Sequence, residues 1–201
     1  MTQQDYLKDL SEIKNLMHKS SKFMSLSGLS GIMAGVYALI GAAYAYWLVS
    51  NSVRGYLILD GKIFNIILID LFLIAFFTVA TAIFLTTKKA KQNGEKLFDK
   101  TAILAVTNFL IPLIAGGVYL LIILNQQKYG QTAALMLIFY GLALVNASKY
   151  TLSKIQYLGY IEIGLGLICA IIPGYGFWIW VLGFGIMHLI YGTFMHFKYD
   201  R

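Results

Sequence analysis

Charge is scarce in this chain: Asp, Glu, Lys and Arg make up only 12% of its 201 residues, whereas 59% are hydrophobic. Soluble domains carry roughly 25% charged residues, so the composition excludes a water-soluble globular protein. The 15% of aromatic residues excludes a disordered chain, because disordered chains have too little apolar surface to form a core. The composition therefore predicts a polytopic membrane protein.

Cysteine is nearly absent as well, and the single one, Cys169, excludes an intramolecular disulfide and a thiolate metal cluster. The sequence has no Walker loop, no HExxH and no GxSxG motif. His188 and His196 do not share a helix face, and no third ligand is suitably spaced for a metal. We therefore expect no enzyme activity, no cofactor and no metal site.

Six apolar stretches without Lys or Arg are long enough to cross about 30 Å of hydrocarbon. They predict an all-α membrane bundle of six transmembrane helices at residues 24–50, 63–87, 101–124, 132–147, 155–172 and 177–197. The fourth stretch is the weakest, because it is short and is followed by Ser148 and Lys149. A re-entrant segment is the alternative at that position.

The basic residues are unevenly distributed around these stretches. Thirteen of the 16 Lys and Arg residues fall in the N-terminal segment, the second and fourth loops and the C-terminus, on one side of the predicted bundle. Because Lys and Arg in short loops stay in the cytoplasm, both termini are predicted to be cytoplasmic. The net charge of +7 therefore reflects membrane topology, and we expect no nucleic-acid partner.

Residues 1–22 are predicted to form an amphipathic helix on the cytoplasmic interface, separate from the six-span domain at residues 23–201. Apolar residues recur there at helical spacing, at Leu10, Ile13, Leu16 and Met17. Acidic residues come early and lysines late, as the helix dipole favours, which is not the pattern of a signal peptide. This helix either anchors the chain on anionic lipid or docks a cytoplasmic protein partner.

Small residues recur on one face of several predicted spans, and such faces let helices pack closely in lipid. The first span has a long small-residue face, which packs either within the chain or in a homo-oligomer. The fifth and sixth spans have similar faces that also carry Glu162 and His188. The candidate packing residues are Gly31, Gly35, Gly159, Gly166, Gly185 and Gly192.

Ionisable residues inside a membrane are costly and often functional. At about 1.5 Å per residue, Glu162 lies roughly 10 Å and His188 about 13 Å from the cytoplasmic ends of their spans. Pro112 removes the helical bond to the carbonyl of Asn108, which predicts a kink at a similar depth. The hypothesis is that Glu162 and His188 form a titratable pair beside this kink, in a cytoplasm-facing cavity for a proton, cation or small polar solute. The alternative is a structural hydrogen bond between the last two helices.

Asp70 is the second acid within the predicted spans, roughly 10 Å from the outer end of its helix at 1.5 Å per residue. Tyr44 has a comparable depth, and its phenol is the expected donor to this carboxylate. Asp70 is therefore either an entry point for ions from outside or a capped structural acid.

Residues 20–31, SSKFMSLSGLSG, and residues 35–42, GVYALIGA, resemble the N-terminus of uncharacterised multi-pass bacterial membrane proteins. The resemblance implies a bacterial inner-membrane setting and no particular activity. Two functions stay open. The first is a small, oligomeric proton-linked transporter or channel for an ion or small polar solute, using Glu162 and His188. The second is a non-catalytic membrane sensor or scaffold coupled to a cytoplasmic partner.

Overall fold

The computed structural model describes residues 27–51, 61–92, 99–151, 154–172 and 174–199. These residues form helices and no strand, which confirms the predicted all-helical class. The predicted amphipathic helix at residues 1–22 lies outside the described residues.

Six helical segments follow one another in the described part of the chain. The first five are α1 Gly28–Ser50, α2 Lys62–Gln92, α3 Lys100–Asn125, α4 Thr132–Ala147 and α5 Ile155–Ile171. Short 3-10 turns at Tyr129–Gln131 and Ser148–Tyr150 flank α4. The last segment, α6, is an α-helix over Gly176–Trp180, a π-helix over Val181–Met187 and an α-helix again over His188–Tyr199.

Five helices among the described residues are long and apolar enough to cross a membrane. The fourth stretch, predicted to be the weakest, is the least apolar of the five, and its flanking 3-10 turns extend the helical run to 22 residues, Tyr129–Tyr150. Helix α5 is apolar but, with 17 residues, is shorter than these five. At about 1.5 Å per residue it reaches about 25 Å, slightly less than a typical hydrocarbon layer.

The helices pack in two groups that α6 connects. In the first group α1 packs against α2 and α6, and in the second α4 packs against α3 and α5. The first half of α6 also contacts α4 and α5. Two small clusters of buried side chains follow this division, Ala38 with Ala42 and Trp180, and Ala134 with Leu137 and Cys169.

The small-residue face of α1 packs on α6. A Cβ built on Gly31 would lie 3.1 Å from the Cα of Gly192, and one on Gly35 would lie 2.8 Å from the carbonyl oxygen of Gly185. Real Cβ atoms rarely approach backbone so closely, so these positions need glycine for the two helices to touch. Of the two arrangements open for this face, the structure shows the packing within the chain.

The small residues of α5 pack on α4 in the same way. A Cβ on Gly159 would lie 2.7 Å from the carbonyl oxygen of Gly141, and one on Gly166 would lie 2.9 Å from that of Ala134. The close approach of these two helices brings the side chain of Glu162, which lies between Gly159 and Gly166, into the interior. The packing of α4 and α5 therefore positions the buried acid.

Large apolar side chains cover the outer surface. Most of α2 and α3 is exposed, including Phe72, Phe76, Phe84, Ile111, Val118 and Leu121. Such a surface is compatible with lipid contact.

Candidate functional site

Glu162 and His188 meet in the interior where α4, α5 and α6 come together. The Nδ1 atom of His188 lies 3.4 Å from Oε1 of Glu162. Glu162 is 0% exposed and His188 is 3% exposed. The structure thus brings together the two ionisable residues at the centre of the hypothesis.

The imidazole of His188 has a hydrogen-bond partner at each nitrogen. Nδ1 donates to the carbonyl oxygen of Gly183 at 3.0 Å, and Nε2 lies 2.8 Å from the hydroxyl of Tyr140. Sequence reasoning missed Tyr140. The available signal was its depth in the fourth span, which resembles that of Glu162 in the next helix. The site therefore includes one polar side chain from each of three helices.

The π-helical segment of α6 begins just before Gly183 and ends just before His188. Backbone hydrogen bonds in a π-helix run from residue i to i+5, and π-segments inside α-helices often occur at functional sites. His188 is the fifth residue after Gly183, and its ring reaches back to that carbonyl. The widened helix thus sets the position of the imidazole.

The carboxyl group of Glu162 has a different environment. Neither of its oxygens has a hydrogen-bond partner among the described residues. A Cβ built on Gly183 would lie 2.5 Å from Oε2 of Glu162 and 2.5 Å from Cδ2 of Leu137. A methyl group there would displace both side-chain ends, because the carboxyl packs directly against the α6 backbone. An ionised carboxylate without donors is costly to bury, which favours a proton on the pair.

Aromatic rings enclose His188. Phe184 stacks on it, with ring centroids 5.8 Å apart and an interplanar angle of 18°. Tyr140 also contacts Phe184 at 5.1 Å and Phe109 at 6.0 Å. Two clefts in the described part of the protein are lined by other residues, and Glu162 and His188 have almost no exposed surface. The pair lies in a packed interior.

Asn108 does not join the pair. Its side-chain amide donates to the carbonyl of Leu104 at 2.8 Å, and its own carbonyl accepts from the amide of Asn146 at 2.9 Å. Pro112 lies inside an unbroken α3. The carbonyl that Pro112 leaves without a helical partner is therefore bonded by α4, and Asn108 has a role in packing α3 on α4.

Asp70 and Tyr44 are not partners, and that prediction is wrong. A Cβ on Gly41 would lie 3.0 Å from Oδ2 of Asp70, so the acid packs over the glycine of α1. Tyr44 lies almost one turn further along α1, where it is 44% exposed and stacks on Trp47 at 6.2 Å. No hydrogen bond joins Tyr44 and Asp70, both of which the structure describes.

No group of three His, Cys, Asp or Glu side chains that could hold a metal ion occurs among the residues described. Fold and site together define an all-helical protein with five helices apolar enough to cross a membrane and an interior Glu–His–Tyr cluster. The chain matches no family model, no curated protein and no solved structure.

Proposed function

We propose that the chain is a small proton-linked membrane transporter in which Glu162 and His188 carry the proton. The observation that supports the proposal is the contact of 3.4 Å between a buried imidazole and a buried carboxyl that lacks a hydrogen-bond donor among the described residues. Ionisable groups within membrane-spanning helices are rare and mark proton relays and ion pathways. A carboxyl and an imidazole in contact can exchange a proton near neutral pH.

The membrane setting belongs to the same proposal. We place the chain in a bacterial inner membrane with both termini in the cytoplasm. The lysines at the ends of α2 and α6, Lys88, Lys89, Lys91 and Lys198, support this orientation because basic residues near span ends stay cytoplasmic. The exposed apolar side chains of α2 and α3 support contact with lipid or with a second copy.

The packing of the site favours a proton over a larger solute. A proton moves along hydrogen-bonded groups, whereas a cation or polar solute needs space beside its ligands. Glu162 and His188 are enclosed on every side by α4, α5 and α6, with almost no exposed surface. In this proposal the structure is a closed state, and the π-helix of α6 is the segment that rearranges to open it.

The same enclosure supports a second candidate function. A buried Glu–His contact also joins α5 to α6 without carrying any proton, and then the chain serves as a membrane sensor or scaffold. In that case a cytoplasmic partner binds the N-terminal segment, residues 1–22, which lies outside the described residues.

Proton movement into liposomes separates the two functions. The full chain is reconstituted with a pH-sensitive dye inside, and a pH difference is imposed across the membrane. We expect wild-type protein to dissipate the pH difference. In Glu162→Gln the rate of dissipation should be about 100-fold lower, an effect typical for loss of a proton-transferring group. Asp70→Asn is the matched control, since it neutralises the other acid of the apolar spans, which packs over Gly41 of α1.

Proton entry in wild-type vesicles no faster than in empty ones refutes the transport proposal. So does unchanged flux in a correctly folded Glu162→Gln protein. Loss of thermal stability in both Glu162→Gln and His188→Ala, without any proton movement in wild type, supports the scaffold instead.

A further inference from the structure

Tyr140 contacts the one nitrogen of His188 that faces away from Glu162. Its hydroxyl oxygen lies 2.8 Å from Nε2, while Nδ1 contacts the carbonyl of Gly183 at 3.0 Å. A carbonyl oxygen only accepts, so Nδ1 carries a hydrogen. In a neutral imidazole the other nitrogen is then the acceptor, so the hydroxyl of Tyr140 donates to Nε2. The two contacts agree on a single tautomer of the neutral ring.

A second proton on His188 has only one place to bind, because Nδ1 is already occupied. When Nε2 gains that proton it becomes a donor, and its partner must accept. A tyrosine hydroxyl does both, since its hydrogen rotates about the C–O bond. A purely donating group at this position, such as a lysine ammonium, would repel the charged ring.

We propose that Tyr140 is a positioning residue whose hydroxyl turns from donor to acceptor as His188 gains a proton, so that protons enter the ring at Nε2 and leave from Nδ1 to Glu162. This inference rests on the proposed function for its place in transport. The proton balance is simple. An O–H bond of a hydronium ion breaks as the Nε2–H bond forms. The Nδ1–H bond then breaks as an O–H bond forms at Oε1 of the ionised Glu162, which leaves a neutral ring with its hydrogen on Nε2. The ring returns to the resting Nδ1–H tautomer by proton exchange with water before the next proton enters.

The ring packing of Tyr140 permits a clean substitution. Phe109 and Phe184 contact the aromatic ring of Tyr140, and phenylalanine preserves that ring. Tyr140→Phe therefore deletes the hydroxyl and little else. Tyr160→Phe is the matched control, because Tyr160 lies on α5 and its side chain is 55% exposed.

Nitrogen NMR of the reconstituted full chain, labelled in histidine, measures the tautomer directly. The resonances of His188 are identified as those that disappear in the His188→Gln protein. We expect wild type at high pH to show hydrogen on Nδ1 and a hydrogen-bonded acceptor at Nε2. In Tyr140→Phe the chemical shift of Nε2 should move to that of a ring nitrogen that accepts no hydrogen bond. Proton flux in this variant should fall about tenfold. Tyr160→Phe should leave both unchanged.

Hydrogen on Nε2 of neutral resting wild-type His188 overturns the inference, and this result does not depend on the folding of Tyr140→Phe. An unchanged Nε2 resonance in Tyr140→Phe overturns it as well, as does undiminished flux in that variant where wild type transports. Absence of flux in wild type refutes the proposed function alone, since the NMR spectra still decide whether Tyr140 donates to His188.

Discussion

The side-chain amide of Asn146 on α4 donates to the backbone carbonyl of Asn108 on α3, at 2.9 Å. Asn108 lies four residues before Pro112, whose ring nitrogen has no hydrogen to donate, so the carbonyl lacks its helical partner. Lys149 donates to the amide oxygen of Asn146 at 3.3 Å, which orients the amide nitrogen towards α3. One helix thus supplies the hydrogen bond that a proline removes from its neighbour.

We predict that Asn146→Ala destabilises the protein by about 1 kcal/mol or more, because it leaves a partly buried carbonyl unpaired. Pro112→Ala restores a backbone N–H that reaches Asn108, so in that background the same Asn146 substitution should cost much less. A double-mutant cycle on the free energy of unfolding in detergent measures the difference.

Asn125→Ala is the control for this cycle, because Asn125 lies at the exposed end of α3. Its substitution should lower the free energy of unfolding only slightly in either background. Equal costs of Asn146→Ala with and without Pro112 would show that the amide does not compensate for the proline.

The sequence was sufficient for the parts of the fold that depend on local chemistry. The apolar runs placed the helices to within a few residues, and Pro112 pointed to the carbonyl of Asn108 as unpaired, because both depend on residues close in the chain. The partner of that carbonyl, Asn146, is 38 residues away. Identifying it requires knowing which face of α4 meets α3.

The same limit applies to the candidate site. Glu162 and His188 stood out because ionisable residues are rare in apolar helices, and depth counted along each helix predicted that they are level. The π-helix changes the rotation of α6 between Gly183 and His188, which no periodic pattern in the sequence revealed. Tyr140 lies at a depth similar to that of Glu162, but depth alone does not show which of the 14 tyrosines faces His188.

The second prediction concerns Gly183, where an added methyl group meets Oε2 of Glu162 and Cδ2 of Leu137, both at 2.5 Å. Gly183→Ala should therefore displace the carboxyl from His188 and destabilise the protein by about 1–3 kcal/mol, the usual cost of overpacking. Infrared spectroscopy of the carboxyl C=O stretch, assigned with Glu162→Gln, detects the displacement. Adding Glu162→Asp, which shortens the acid, should recover part of the lost stability.

Gly164→Ala is the matched control on α5, since a Cβ there would have nothing within 4 Å. Alanine is the better helix former, so this variant should be as stable as wild type or slightly more stable. An unshifted carboxyl stretch and unchanged stability in Gly183→Ala would mean that the acid does not pack against this glycine.

The third prediction concerns the contact between α1 and α6, where a Cβ on Gly192 would lie 3.0 Å from the carbonyl oxygen of Gly28 and closer still to the backbone of Gly31 and Ile32. The backbone cannot yield as a flexible side chain does, so Gly192→Val should separate the helices and lower the free energy of unfolding by about 3 kcal/mol or more. Gly117→Val, at a position open to its surroundings, controls for the bulk of valine in a helix. Because the contact lies within one chain, the loss should not depend on protein concentration. A loss that disappears as concentration rises would place Gly192 in an interface between copies.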